Sequence, residues 1–120
     1  MKYDKLDQKM LEMKDEIFAA VKENVAIESV KGEPEENAPF GAGPKAALDN
    51  VLELGARLGF KTVNLDNKVG WIEYGDGDEM AAVLGHVDIV PLGEGWNYDP
   101  LGCEIHDGKN VSPIREKNPI

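Results

Sequence analysis

The chain has a single cysteine, Cys103, among its 120 residues, so an intrachain disulfide is excluded. Such sparse cysteine usage is typical of proteins from reducing compartments. We predict that Cys103 is simply a small, half-buried side chain. The sequence also lacks the run of about 18 apolar residues that a membrane span requires, and its first residues carry no apolar signal core. These absences predict a cytoplasmic protein.

Positive charge is scarce as well. The chain carries 13 Lys+Arg against 23 Asp+Glu, a formal net charge of -10. A negative field of this kind repels phosphate backbones and anionic membrane surfaces, so we predict neither nucleic acid nor membrane as a partner. The same charge could attract divalent cations or only keep the surface solvated, and composition leaves both readings open.

Two helices are predicted from apolar residues spaced three and four apart. The first runs from Leu6 to Val25 and places Met10 in its core-facing stripe. The second begins at Pro44, because proline is well suited to a first helical position, and it ends at Gly59 in the left-handed conformation. Between the two, residues 31–43 are polar and rich in glycine and proline, which predicts a long loop.

Three short β-type segments follow, at residues 60–65, 69–74 and 80–84, and polar turn sequences separate them at 66–68 and 75–78. The segment 80–84 reads MAAVL, which is apolar without alternation. This pattern is typical of an inner strand that is covered on both faces. The order of elements predicts an α/β fold in which helices pack on a mixed β-sheet.

Directly after segment 80–84 come the residues that carry chemistry, His86 and Asp88. Side chains two apart on an extended chain lie on the same side, so the imidazole and the carboxylate should meet. A metal-binding histidine commonly donates its other ring N–H to a carboxylate, which fixes the tautomer. The pair therefore fits a metal ligand with its orienting group, although a histidine hydrogen-bonded for structural reasons has the same pattern.

The surrounding motifs are GHVDIVP at residues 85–91, GEGW at 93–96, DPL at 99–101 and IHDGK at 105–109. In this order and spacing they resemble the dipeptidase branch of the co-catalytic zinc exopeptidases, the family of aminoacylases and carnosinase-like dipeptidases. Weaker agreement extends upstream, so that the resemblance covers most of residues 6–109. It implies the amino-terminal part of a zinc-exopeptidase catalytic domain.

The resemblance implies that His86 is a zinc ligand and that Asp88 orients its ring. Members of this family hold two zinc ions bridged by an aspartate, and a glutamate acts as general base on the bridging water. The implied substrates are dipeptides or related N-acyl amino acids. Substrate-binding residues stay open here, because Trp96 and Tyr98 could either line a cleft or anchor their loop, and we predict His106 to be an exposed turn histidine.

The chain departs from the family pattern after Lys109. The family continues through a Gly-Arg-Gly turn to the bridging aspartate, whereas residues 110–120 read NVSPIREKNPI. The bridging aspartate, the general-base glutamate and most ligands are therefore missing. We divide the chain into residues 1–109, the amino-terminal part of the catalytic domain, and residues 110–120, a divergent and disordered tail.

This departure leaves three readings of the chain. The first is the inactive amino-terminal part of a dinuclear zinc dipeptidase, which binds zinc weakly or not at all. The second is a non-catalytic module that binds a partner or self-associates through apolar surface that the missing part would have covered. The third is an accident of the coding sequence, such as a frame error or premature stop.

Overall fold

The computed structural model describes residues 3–106 and, for the backbone alone, residues 109–110. The chain forms two compact units, one spanning Ile27–Gly93 and the other combining the residues before and after it. In the described part, the elements in chain order are α1 (Asp4–Glu12), α2 (Lys14–Val25), α3 (Ala42–Arg57), β1 (Lys61–Leu65), β2 (Val69–Glu73), β3 (Ile105–His106) and β4 (Lys109–Asn110).

The α/β class predicted from sequence is confirmed, but the mixed sheet is wrong. Over the described ranges the strands form two antiparallel pairs, β1 with β2 and β3 with β4. Among the residues that the structure describes, parallel pairing is limited to one isolated bridge between Val30 and Ile89. The described strands thus form small hairpins.

Helix α3 lies on the β1–β2 hairpin, and glycine on both surfaces permits the close approach. A Cβ added at Gly55 of the helix would come within 2.7 Å of the Cδ1 atom of Ile72 in β2. One added at Gly70 of β2 would come within 2.9 Å of a Cδ atom of Leu52 in α3. Helix and hairpin therefore pack backbone against side chain. Within α3, Ala47 is 0 % exposed and marks the best-buried point of the helix.

The carboxyl end of α3 confirms the prediction for Gly59, whose φ is +86°. Its N–H donates to the carbonyl of Ala56, and the N–H of Phe60 donates to that of Gly55, both at 3.0 Å. This is the Schellman arrangement, which satisfies carbonyls that the helix leaves unpaired. The predicted amino end is wrong, because α3 begins at Ala42 rather than at Pro44.

The hairpin agrees with its prediction to within one residue at each outer end. Asp66 and Asn67 both adopt positive φ, as short polar residues tolerate, and close the turn between the strands. Register places Lys61 opposite Glu73, and the lysine Nζ lies 3.1 Å from Oε2 of the glutamate. Hydrogen bonds from Lys61 and then from Trp71, with the charge of the lysine, lower the pKa of the exposed Glu73 carboxyl.

The first predicted helix is two helices, because α1 ends at Glu12 and α2 begins at Lys14. Neither proline nor glycine stands at the intervening Met13, and nothing in the sequence explains the break. The core-facing assignment of Met10 is also wrong, since this side chain is 51 % exposed. Within the described chain, neither α1 nor α2 contributes a buried residue.

Segment 80–84 departs most from expectation, because it is exposed and has no regular secondary structure, instead of being an inner strand. Met80, Val83 and Leu84 are 90 %, 101 % and 97 % exposed. An inner strand needs a hydrogen-bonded neighbour on each side and a layer over each face. The described residues supply segment 80–84 with neither, so its apolar sequence stays in water.

The end of the chain is only partly described. Strands β3 and β4 pair antiparallel, with His106 opposite Lys109, and Cys103 before them is 9 % exposed, more buried than predicted. Residues 107–108, which follow the predicted turn histidine His106, and the predicted tail from residue 111 onward lie outside the described residues. Among those that are described, no helix is both long and apolar enough to cross a membrane.

Candidate functional site

His86 and Asp88 lie in the unit Ile27–Gly93, just beyond segment 80–84. Their stretch of chain has no regular secondary structure and is attached to Ser29, whose carbonyl accepts from the N–H of Ile89 at 3.2 Å. A hydrogen bond of 2.7 Å from the Ser29 hydroxyl to the carbonyl of Val87 adds to it. The pair therefore does not end a covered strand, as the sequence suggested, but follows an exposed segment and precedes an anchored one.

The structure brings the two predicted side chains together. Nδ1 of His86 lies 3.2 Å from Oδ1 of Asp88 and 2.9 Å from the backbone carbonyl oxygen of the same residue. Neither oxygen of an ionised carboxylate or a carbonyl can donate, so Nδ1 must carry the proton. The lone pair of the neutral ring is then on Nε2, which is the atom available to bind a cation.

The surroundings of the pair are open. The His86 and Asp88 side chains are 81 % and 63 % exposed, so no packing surface in the described part of the chain holds the imidazole. Over the residues that the structure describes, no group of three or more His, Cys, Asp or Glu side chains comes together as a metal site. The donor set thus fits one zinc ligand with its orienting carboxylate and falls short of the roughly four donors that zinc takes.

The second histidine, His106, belongs to the other unit and has its own partners. Its Nε2 lies 2.9 Å from Oε2 of Glu104, and its ring is tilted on that of Tyr98 with centroids 4.2 Å apart. The predicted exposed turn histidine is therefore half-buried at the end of β3 and paired with a carboxylate. Tyr98 contributes to this local packing. Trp96, the other candidate for a substrate cleft, is partly buried in the same unit.

Sequence reasoning overlooked Ser29, a buried polar residue that is 2 % exposed. Residues 26–29 read AIES, without alternation of apolar and polar side chains, so the sequence carries no signal for Ser29, and the two-residue alternation of exposure after α2 appears only in the structure. Alternation of this kind marks one face of an extended segment. Only the fold shows that the polar side chain at its end reaches the carbonyl of Val87.

Comparison with known proteins finds relatives among bacterial dipeptidases. The chain is 42% identical over 102 residues to a Bacillus subtilis protein named "Putative dipeptidase YtjP". The matched region covers 83% of this chain and 22% of that protein. It is 39% identical over 107 residues to a Staphylococcus epidermidis protein named "Putative dipeptidase", and this match covers 88% of the chain and 23% of that protein. No family model matches the chain.

These relatives confirm the resemblance to dipeptidases that the motifs around His86 indicated. A Staphylococcus aureus protein that also bears the name of a dipeptidase is 41% identical over 96 residues. The chain spans about a fifth of the length of the curated relatives it matches, with 20% to 23% of each covered.

Proposed function

Since this chain is a homologue of part of several proteins named as dipeptidases, we propose that it supplies one zinc ligand and its orienting carboxylate to a dinuclear zinc dipeptidase. His86 is the ligand and Asp88 the orienting group. The substrates are dipeptides or related N-acyl amino acids, and the protein works in the cytoplasm. The bridging aspartate and the general-base glutamate of such a site come from outside the described residues.

The contact between Nδ1 of His86 and Asp88 carries this proposal. It selects the tautomer that leaves the Nε2 lone pair available, and the negative carboxylate makes the ring a better donor to a cation. Zinc held in such a site would supply a bound water acidified towards neutral pH as the nucleophile for peptide hydrolysis. This chain contributes the orientation of one imidazole.

The expected result for the 120-residue chain is weak zinc binding that depends on His86. Replacing His86 with alanine removes the proposed ligand, so the zinc affinity should fall by at least about tenfold. The matched control is His106→Ala, which removes the other histidine and should leave zinc binding unchanged. Titration with zinc in competition with a chromophoric chelator measures all three proteins.

Two results would contradict the proposal. Equal zinc affinity in the wild type and His86→Ala would remove His86 as a ligand, and a loss confined to His106→Ala would place the metal in the other unit. Hydrolysis is a separate readout. With one ligand and no general base, the chain should turn over no dipeptide, and turnover abolished by a chelator would show that the chain alone completes the site.

We propose a second role for this chain, self-association through the exposed segment 80–84. Its residues are as exposed as in an unfolded chain, with Val83 at 101 %. Six-residue stretches that are apolar, uncharged and free of proline are prone to pair with another strand, and residues 80–85 meet that description. The occupant that fits best is a second copy of the chain.

Charge favours this occupant. An antiparallel pair centred between Ala82 and Val83 places Glu79 of one copy opposite His86 of the other, and no two acidic residues then lie directly opposite each other. Shifting the register by one residue, so that Asp78 faces His86, places Asp76 of one copy opposite Asp88 of the other, a like-charge pair that disfavours the shifted register. The segment itself carries no charge, so the net charge of -10 is not concentrated at the contact.

The substitution Leu84→Lys should prevent this association, because a lysine within the strand must be desolvated for the two copies to pair. The matched control is Leu11→Lys in α1, where the leucine is 73 % exposed and lies outside the segment. Sedimentation equilibrium at increasing concentration should show dimers for the wild type and Leu11→Lys and monomers for Leu84→Lys. A monomeric wild type at high concentration, or monomers only for Leu11→Lys, would refute segment 80–84 as the contact.

A further inference from the structure

Ser29 stands out because it is a polar side chain inside the protein, 2 % exposed, where serine is usually at the surface. Burial of a hydroxyl is unfavourable unless it forms a hydrogen bond. The Ser29 Oγ satisfies this need by donating to the carbonyl oxygen of Val87 at 2.7 Å, across 58 positions of sequence. The serine therefore ties two distant stretches of the chain together.

A second hydrogen bond from the same residue completes the attachment. The carbonyl of Ser29 accepts from the N–H of Ile89 at 3.2 Å, and Val30 forms a parallel bridge with Ile89. Val87 and Ile89 are the neighbours of Asp88 on either side. Ser29 thus holds the chain immediately before and immediately after the carboxylate that contacts His86.

The stretch that contains Ser29 is itself held by α3. Gly43, in the first turn of this helix, lies so near that a Cβ there would approach the Cα of Ser29 to 3.2 Å and the carbonyl oxygen of Glu28 closer still. The backbone of Ser29 consequently rests on a helix. Its position is defined independently of the segment that it anchors.

The His86 ring has no comparable support. Its side chain is 81 % exposed, so its orientation depends on the backbone of its own segment and on the contacts of Nδ1 with Asp88. Both contacts are made to a single residue, and the backbone of that residue is fixed through Ser29. We infer that Ser29 is a positioning residue, which holds the backbone around Asp88 so that its carboxylate and carbonyl select the Nδ1–H tautomer of His86.

This inference deepens the proposed function, and only its consequence for zinc depends on that function. A fixed tautomer presents Nε2 to a metal without a preceding proton shift, whereas a ring free to exchange tautomers presents the wrong nitrogen part of the time. Losing the Ser29 hydroxyl should therefore weaken zinc binding to the chain by up to about tenfold, the low end for groups that orient a ligand.

The test is the imidazole nitrogen NMR spectrum of the ¹⁵N-labelled 120-residue chain near pH 8.5, where ordinary histidines are neutral. The wild type should show His86 mainly as the Nδ1–H tautomer. Ser29→Ala should shift its two nitrogen signals towards a tautomer mixture, while Ser29→Thr, which keeps a hydroxyl donor, should restore most of the wild-type pattern. His106 is an internal control, since its partners are Glu104 and Tyr98.

A cysteine variant keeps the test informative if Ser29→Ala does not fold. Ser29→Cys keeps the shape of the side chain with a larger terminal atom and only a weak donor, so its His86 signals should fall between those of the wild type and Ser29→Ala. Backbone amide spectra identify which variants keep the fold. Unchanged His86 signals in folded Ser29→Ala or Ser29→Cys would overturn the inference, as would equal shifts at His86 and His106.

The readouts separate this inference from the proposed function. The tautomer is measured without metal, so a shift at His86 in Ser29→Ala supports the positioning role even if His86→Ala leaves zinc binding unchanged. Conversely, zinc binding could depend on His86 while the His86 tautomer is unchanged in the Ser29 variants. That result would support the proposed function and refute the role of Ser29.

Discussion

Replacing Ala47 with aspartate is expected to unfold much of the unit Ile27–Gly93. Ala47 is 0 % exposed in α3, so the substitution would bury a carboxylate at a position where the described part of the fold provides no group to pair with it. Burial of an unpaired charge ranks among the most destabilising single changes, and we expect a loss of about 3 kcal/mol or more in the free energy of unfolding. Typical domains have only about 5–15 kcal/mol in total. Urea denaturation followed by circular dichroism measures the effect.

The neighbouring residue provides the control. Ala46 lies in the same turn of α3 but is exposed, so Ala46→Asp changes helix propensity and charge in the same way without burying the carboxylate. Its expected cost is about 0.5 kcal/mol, the difference in propensity alone. Equal losses for the two variants would mean that Ala47 is not enclosed and that α3 does not pack as described.

A second large effect is expected from Gly43→Ala, because there is no room for a methyl group at this position. The added Cβ would lie 3.3 Å from the carbonyl carbon of Glu28 and well inside contact distance of its oxygen. Both are backbone atoms, so the helix or the Glu28–Ser29 stretch must shift. Overpacking of this kind typically costs about 1–3 kcal/mol, which outweighs the gain of up to about 1 kcal/mol from replacing a helical glycine.

Gly77→Ala is the matched control for this change, since a Cβ at Gly77 meets nothing within 4 Å and its φ is not in the left-handed region. Its free energy of unfolding, measured in urea, should stay within about 0.5 kcal/mol of the wild type. A Gly43→Ala protein as stable as Gly77→Ala would contradict the close contact between α3 and Glu28. Because this contact supports Ser29, the same variant should also disturb the His86 tautomer.

The elements that could be predicted from sequence are those set by neighbouring residues. Gly59 ends α3 because glycine accepts positive φ at no steric cost, and Asp66 and Asn67 close the hairpin because their short polar side chains tolerate the same region. The strands beside that turn follow from the alternation of their residues. Each of these features depends on interactions within a few positions along the chain.

Segment 80–84 could not be predicted in this way, because a strand forms only where another strand supplies its hydrogen bonds. An apolar run indicates what a segment would bury, and it does not provide the neighbour. The prediction for the helices α1 and α2 is wrong for a similar reason, because an apolar stripe on a helix does not supply the surface that would cover it. Met10 falls on a regular apolar stripe, yet it is 51 % exposed in the described structure.

The candidate site likewise has a part set by neighbouring residues and a part set by distant ones. The meeting of His86 with Asp88 follows from two-residue alternation and was predicted, whereas its support was not. Ser29 is 58 positions away from Val87, and no local pattern connects them. The role of His86 as a zinc ligand remains a prediction that rests on the resemblance to dipeptidases and on the geometry of its ring.

The small interior of this chain has a thermodynamic consequence. Within the described residues, the apolar side chains that are buried are Ala38, Ala47 and Cys103, all of them small. The heat capacity of unfolding comes mainly from apolar surface that becomes hydrated when the chain opens. With little such surface to expose, the stability curve of this protein should be flat in temperature, and its melting broad rather than abrupt.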